Sequence, residues 1–162
     1  MRSSIAALAF AIAFAPAAAP AAAGEHDYDW LVGTWTCINS MPSPIGGPAK
    51  QAMTVAPSYA QGFFVRITGH DFERSGYIGY AAKTHRWWNP FSYPNGNHAV
   101  ESTTQRGAKT TWEGPYVDVG TGTTFEVRDI YTVSSPTRFT EVGQYRSGDA
   151  WHTGFSGTCT KS

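Results

Sequence analysis

The chain has 162 residues, 12 basic and 12 acidic side chains, 41% hydrophobic residues and 15% charged ones, the size and balance of one globular domain. A formal net charge of zero supplies no field to steer nucleic acid or coat an anionic membrane, so neither is expected as a partner.

Arg2, the apolar run from Ile5 to Phe14 and the small residues Ala21-Ala22-Ala23 before Gly24 follow the order of a secretory signal peptide. The apolar run is too short for a spanning helix, and Pro16 and Pro20 follow it. The expected division is therefore a signal peptide over 1–23 and one domain over 24–162, exported to the periplasm or secreted. No later segment is apolar enough to be read as a membrane helix. Removing the signal leaves one more acidic than basic side chain.

After Leu8 the sole leucine is Leu31, while Thr, Val, Tyr, Phe and Trp recur to the end. A domain lacking the main helical core filler but rich in β-branched and aromatic residues is expected to be all-β. Asp27 to Leu31 reads as a short helical turn. Ten strand-like runs follow, bounded by turn residues: Leu31 to Asn39, Lys50 to Ala56, Phe63 to Gly69, Gly76 to Ala82, His85 to Trp88, Ala99 to Thr104, Thr110 to Tyr116, Thr123 to Val133, Arg138 to Tyr145 and Trp151 to Thr160. Two loops stand out, Ser40 to Pro48 with its prolines and Gly46-Gly47, and the aromatic Asn89 to Asn97. Both are expected to flank a cavity mouth.

Cys37 falls in the first run and Cys159 in the last. An exported chain with two cysteines is expected to join them, which requires the terminal strands to be neighbours. The sheet then closes on itself, and a meander brings its ends together antiparallel only with an even strand number. The expected fold is a single closed antiparallel up-and-down β-barrel of about ten strands. Closing nearly the whole mature chain into one loop stabilises by roughly 5 kcal/mol at most in chain-entropy reasoning.

Side-chain alternation places Trp35 and Cys37 on one face of the first strand, and Trp151, Phe155 and Cys159 on one face of the last, with His152 opposite. Phe125, Val127, Asp129 and Tyr131 share a face, as do Phe139, Glu141 and Tyr145. An aromatic interior interrupted by carboxylates is expected. Such carboxylates need a partner, for which Arg66 and Arg128 are the candidates, or a raised pKa.

The segment Asp29-Trp30-Leu31-Val32-Gly33-Thr34-Trp35 resembles the opening of calycin-type barrels, whose Gly-x-Trp closes the barrel floor. With Ile130-Tyr131-Thr132-Val133, Gly148-Asp149-Ala150-Trp151 and the ending Cys159-Thr160-Lys161, most of the mature chain is similar to the DUF1579 family of exported bacterial proteins. That resemblance implies a lipocalin-like barrel and no established activity. Nitrobindins, ten-stranded barrels that hold haem through a histidine near the C-terminus, are a more distant similarity. His152 is the candidate haem ligand, although alternation puts it outside unless a bulge at Gly148 or Gly154 reverses the strand.

No Gly-x-Ser-x-Gly elbow occurs, and His70, His85 and His98 lack metal-ligand spacing. The leading reading is a barrel that binds a small apolar or aromatic molecule in its interior without a cofactor. Its expected lining is Trp35, Tyr80, Trp87, Trp112, Phe125, Tyr131, Phe139, Trp151 and Phe155, with Asp129 and Glu141 as polar contacts. A filled barrel with a structural or interaction role is the alternative. Haem binding and an enzyme resting on the interior carboxylates stand behind it.

Overall fold

A computed structural model describes residues 23–43, 47–58 and 61–162. The segment expected to be a signal peptide, apart from Ala23, and part of the Ser40 to Pro48 loop lie outside the described residues. Ten strands follow a 3-10 turn at Asp29–Leu31: β1 (Gly33–Met41), β2 (Lys50–Pro57), β3 (Gly62–Gly69), β4 (Phe72–Ala81), β5 (Arg86–Ser92), β6 (His98–Thr103), β7 (Lys109–Asp118), β8 (Thr123–Ser135), β9 (Arg138–Ser147) and β10 (Ala150–Lys161). Each pairs antiparallel with its sequence neighbour, and β10 returns to β1 to close the barrel. An even strand count lets the two terminal strands meet antiparallel, as the cysteines require.

Cys37 stands opposite Cys159 in the β1–β10 ladder. Their disulfide spans Cα atoms 4.0 Å apart and links positions separated by 122 residues. Both side chains are buried, so the bond lies on the inner face and locks the seam at which the sheet closes.

The inner face is layered because each strand alternates. At one end, the floor, Trp35, Trp87, Trp112 and Phe139 are 0–1% exposed and pack with Tyr28 and Leu31 of the N-terminal segment. Rings meet edge to face, Trp35 with Phe139 at 5.1 Å and Tyr28 with Trp112 at 5.0 Å, the arrangement favoured by their quadrupoles. Trp35 Nε1 donates to the Leu31 carbonyl at 2.7 Å and Trp87 Nε1 to the Gly24 carbonyl at 3.0 Å, so the plug satisfies two of the indoles it buries, while Trp112 Nε1 is buried without a hydrogen-bond partner among the described residues. Ala23 belongs to this core, and its carbonyl accepts the Tyr80 hydroxyl at 2.8 Å. Toward the other end, the rim, Phe91, Ala99, Tyr116 and Val127 form a second apolar cluster.

Three local expectations differ from the structure. The fourth strand begins at Phe72 rather than Gly76, because the turn is confined to His70 and Asp71, the latter with φ of 53°. Asn89 to Ser92 is strand rather than loop, since Pro90 retains its carbonyl and its ladder place opposite Val100; the connection shrinks to 93–97. The third difference is the face assignment in the first part of β10: of the two bulge positions named as able to reverse the strand, the one at Gly154 occurs, between Thr153 and Phe155, and it reverses the faces of every residue before it.

Candidate functional site

Between floor and rim lies a polar layer. Asn89 sits between Trp87 and Phe91 on the inner face of β5, Glu101 between Ala99 and Thr103 on β6, and Asp129 between Val127 and Tyr131 on β8. Glu141 follows Phe139 on β9, and Arg74 follows Phe72 on β4. All five of these polar residues are buried, Glu101 at 0% exposure. The same alternation that sends aromatic rings inward thus delivers three carboxyls, one guanidinium and one amide to a single level of the barrel.

Arg74 is the charge around which the carboxyls are organised. Burial works against its charge, but Tyr93, Glu141 and Asp129 override that effect, so its pKa is raised and the guanidinium stays protonated. Its Cζ lies 4.4 Å from the centroid of the Phe91 ring, a cation–π contact in a desolvated setting. Burial pushes all three carboxyls up. Asp129 rises to about 8 through burial and then the neighbouring Glu141, with Arg74 acting in opposition. Glu101 is pushed well above the usual range by burial and then by Asp129. Glu141 is also raised by burial, but Arg74, the Tyr131 hydroxyl and Asp129 act to lower it. Three carboxyls beside one cation cannot all ionise cheaply; Glu141 is the one on which Arg74, the Tyr131 hydroxyl and Asp129 together act toward the ionised form, against the effect of burial.

Hydrogen bonds fix most of this layer. Tyr131 donates to Glu141 Oε1 at 3.2 Å, and Asn89 Nδ2 donates to Glu101 Oε2 at 3.4 Å. Glu101 Oε1 is buried and has no hydrogen-bond partner. Such an orphan acceptor in a barrel interior calls for an explanation, because an unpaired buried polar atom forfeits its hydration.

Above the layer, aromatic rings line the way to the rim. Tyr93 contacts Phe91 at 5.9 Å and Tyr116 at 6.1 Å, Tyr116 contacts Phe125 at 5.0 Å, and Phe125 contacts Tyr145 at 6.5 Å. A void of about 20 Å³ lies here, bordered by Arg74, Glu101, Asp129, Tyr93, Tyr145 and Phe155. Two further voids of about 20 Å³ adjoin Arg74 on the β2–β4 side and the disulfide side. Each holds roughly one water-sized group. At this same end Phe72 sits 5.8 Å from Tyr93 in the connection after β5 and beside Gly47, a described residue of the Ser40 to Pro48 loop.

A larger concavity, about 680 Å³, is elsewhere. It is a groove on the outer surface across β2 to β6, with Phe64, Tyr77, Pro90 and Val100 among its walls. Volume and chemistry therefore disagree about where a ligand belongs. The groove is open to solvent and its Arg66 is already paired with Glu73 at 3.0 Å; the buried polar groups are all inside, so the interior is the better candidate.

Of the residues expected to line a cavity, Asp129, Glu141, Phe125 and Phe155 gather at or above the polar layer, whereas Tyr131 meets Glu141 from the floor side, its ring 5.6 Å from Phe139. Trp35, Tyr80, Trp87, Trp112 and Phe139 instead belong to the packed floor, where the N-terminal segment fills the space. Trp151 is a correction. The β10 bulge pairs it with Arg146 and pairs His152 with Tyr145, so Trp151 stands on the outer face beneath the Arg128 guanidinium, 4.2 Å away. His152 takes the inner face at the rim, stacked on Tyr145 at 5.6 Å. The expected cationic partners are corrected too: Arg66 bonds Glu73, and Arg128 bonds Gln144 at 2.6 Å, both on the outer face. Arg74, Glu101 and Asn89 were not anticipated. Extending the alternation Tyr80, Ile78, Gly76 back two residues would have reached Arg74, and stepping from Ala99 would have reached Glu101.

His152 is on the face a haem ligand needs, but its ring is stacked on Tyr145 and the void below is water-sized. Among the described residues no group of three or more His, Cys, Asp or Glu is disposed to hold a metal ion, and no helix is long and apolar enough to cross a membrane. No protein-family model and no curated protein matches this chain.

Proposed function

We propose that the chain is an exported barrel that binds a small molecule at the rim end, with an apolar or aromatic body held among the rim rings and a polar handle reaching the carboxyl layer. The disulfide between Cys37 and Cys159 suits the oxidising compartment that export to the periplasm or medium would provide. One observation carries the reading: Glu101, Asp129 and Glu141 are buried around a single Arg74 beneath an aromatic throat. Packing apolar groups there would be at least as stabilising as ionisable ones, so the layer calls for a role beyond holding the fold. The water-sized void is the seat for the handle, and the rings above it shift to receive the body.

Titrating small aromatic compounds against intrinsic tryptophan fluorescence tests this, with Glu141→Gln and Asp129→Asn as comparisons. The expected result is saturable binding weakened by both substitutions. Binding that survives both unchanged removes the polar contact, and no saturable binding by any compound removes the pocket. The second reading, a filled barrel with a structural role, is favoured by the complete burial of Trp35, Trp87 and Phe139 in the floor; it prevails if the interior takes no ligand.

A further inference from the structure

We infer that the handle received by the interior layer is a primary ammonium group, which passes between the rim tyrosines and meets the Glu101 carboxyl. This rests on the reading of the barrel as a ligand-binding protein and names the chemistry of its ligand.

Glu101 supplies the first reason. Its Oε2 is engaged by Asn89 at 3.4 Å, while Oε1, equally buried, has no hydrogen-bond partner although the residue borders the rim-side void. An acceptor held out of water without a donor is a deficit that a donor-bearing group of the ligand removes. An ammonium brings three donors in a volume close to that of water, which matches a void of about 20 Å³.

Charge supplies the second. Three carboxyls face one guanidinium, and Arg74 is already engaged by the Phe91 face and by Tyr93 and Glu141. A second positive charge would let a second carboxylate ionise. An anionic handle would instead meet the carboxyls, and a neutral hydroxyl would satisfy Oε1 without correcting the imbalance. The route inward is the third reason. Tyr93, Tyr116 and Tyr145 present aromatic surface along it, and ring faces attract cations most where water is excluded.

Proton balance follows from the charge. The ammonium enters with its N–H bonds intact, one carboxylic O–H of the layer breaks, and that proton leaves to solvent, so the interior charge is unchanged. The ionisable groups concerned are Arg74 on β4, Glu101 on β6, Asp129 and Tyr131 on β8 and Glu141 on β9. Tyr93 in the β5–β6 connection and Tyr116 on β7 face them from above. Burial pushes the three carboxyls up, in agreement with a layer that holds a proton to release near neutral pH.

Isothermal titration calorimetry on the full mature chain tests the inference, using benzylammonium, benzyl alcohol and benzoate as probes in two buffers of different ionisation heat. Benzylammonium is expected to bind more tightly than both others, to release about one proton, and to gain roughly tenfold in affinity per pH unit between about pH 6 and pH 8. Glu101→Gln is expected to weaken it at least tenfold while leaving benzyl alcohol little changed. If that variant does not fold, the two-buffer comparison on the unaltered chain decides alone. Benzyl alcohol binding as tightly as benzylammonium, or benzoate binding most tightly, overturns the ammonium inference while leaving the ligand-binding reading in place. Benzylammonium binding without proton release, or unchanged in Glu101→Gln, also overturns it. No binding by any of the three probes overturns both.

Discussion

Tyr131 and Glu141 stand directly opposite each other in the β8–β9 ladder, and the tyrosine hydroxyl donates to the carboxylate at 3.2 Å. That bond, together with Arg74, favours the ionised form of Glu141 against the effect of burial. Tyr131→Phe removes the donor and keeps the ring. A loss of about 1.5–3 kcal/mol is expected near neutral pH, the range for hydrogen bonds to charged groups. Urea unfolding of the two proteins measures it; equal midpoints would show that the bond contributes nothing.

Stability should fall as pH rises from about 5 to 8. Asp129 has a folded pKa of about 8, far above the roughly 3.9 of an unfolded aspartate. Between those values the folded state holds a proton that the unfolded state has lost, so each pH unit costs up to about 1.4 kcal/mol per proton held, and the effect is complete above the folded pKa. Glu101 and Glu141, also raised by burial, act in the same direction. Asp129→Asn should flatten the profile, read as denaturation midpoint against pH. A midpoint that climbs over this range would contradict the buried, protonated layer.

Arg74→Met tests the organising charge. Breaking a buried ion pair by removing one partner typically costs about 3–5 kcal/mol, and the loss should be larger at pH 8 than at pH 5, where the carboxyls accept protons instead. A loss independent of pH would assign Arg74 a packing role only.

Gly143 has space for no side chain. It faces inward opposite Phe155, and a β-carbon built on it would collide with the Phe155 ring. Gly143→Ala should therefore displace that ring from the edge of the rim-side void and cost about 1–3 kcal/mol, as overpacking does. Unchanged stability together with an unmoved Phe155 ring in NMR would contradict this placement.

Strand number, closure and the cysteine pair were legible in the sequence because they depend on parity and compartment, which survive small errors of boundary. The floor was legible in part: Trp35 and Phe139 were correctly turned inward, but Asp29–Leu31 and the residues before it fill the space that a ligand was expected to occupy. The polar layer was read from Asp129 and Glu141 and lost on β4, whose run was begun at Gly76, so that Arg74 fell in the gap before it. Face assignment failed at Trp151 because one extra residue at the β10 bulge inverts the alternation and leaves no distinct mark beyond Gly154. Glu101 carries its meaning through burial and an unpartnered oxygen, neither of which a residue pattern displays.

The central claim is that the ligand enters the barrel rather than the outer groove. Two-dimensional NMR of the mature protein during titration with benzylammonium separates the two most directly. Shifts concentrated at Tyr93, Tyr145, Phe155 and the backbone of Glu101 are predicted, with Phe64 and Tyr77 of the groove unmoved. Shifts confined to Phe64, Tyr77 and Val100 would contradict an interior site.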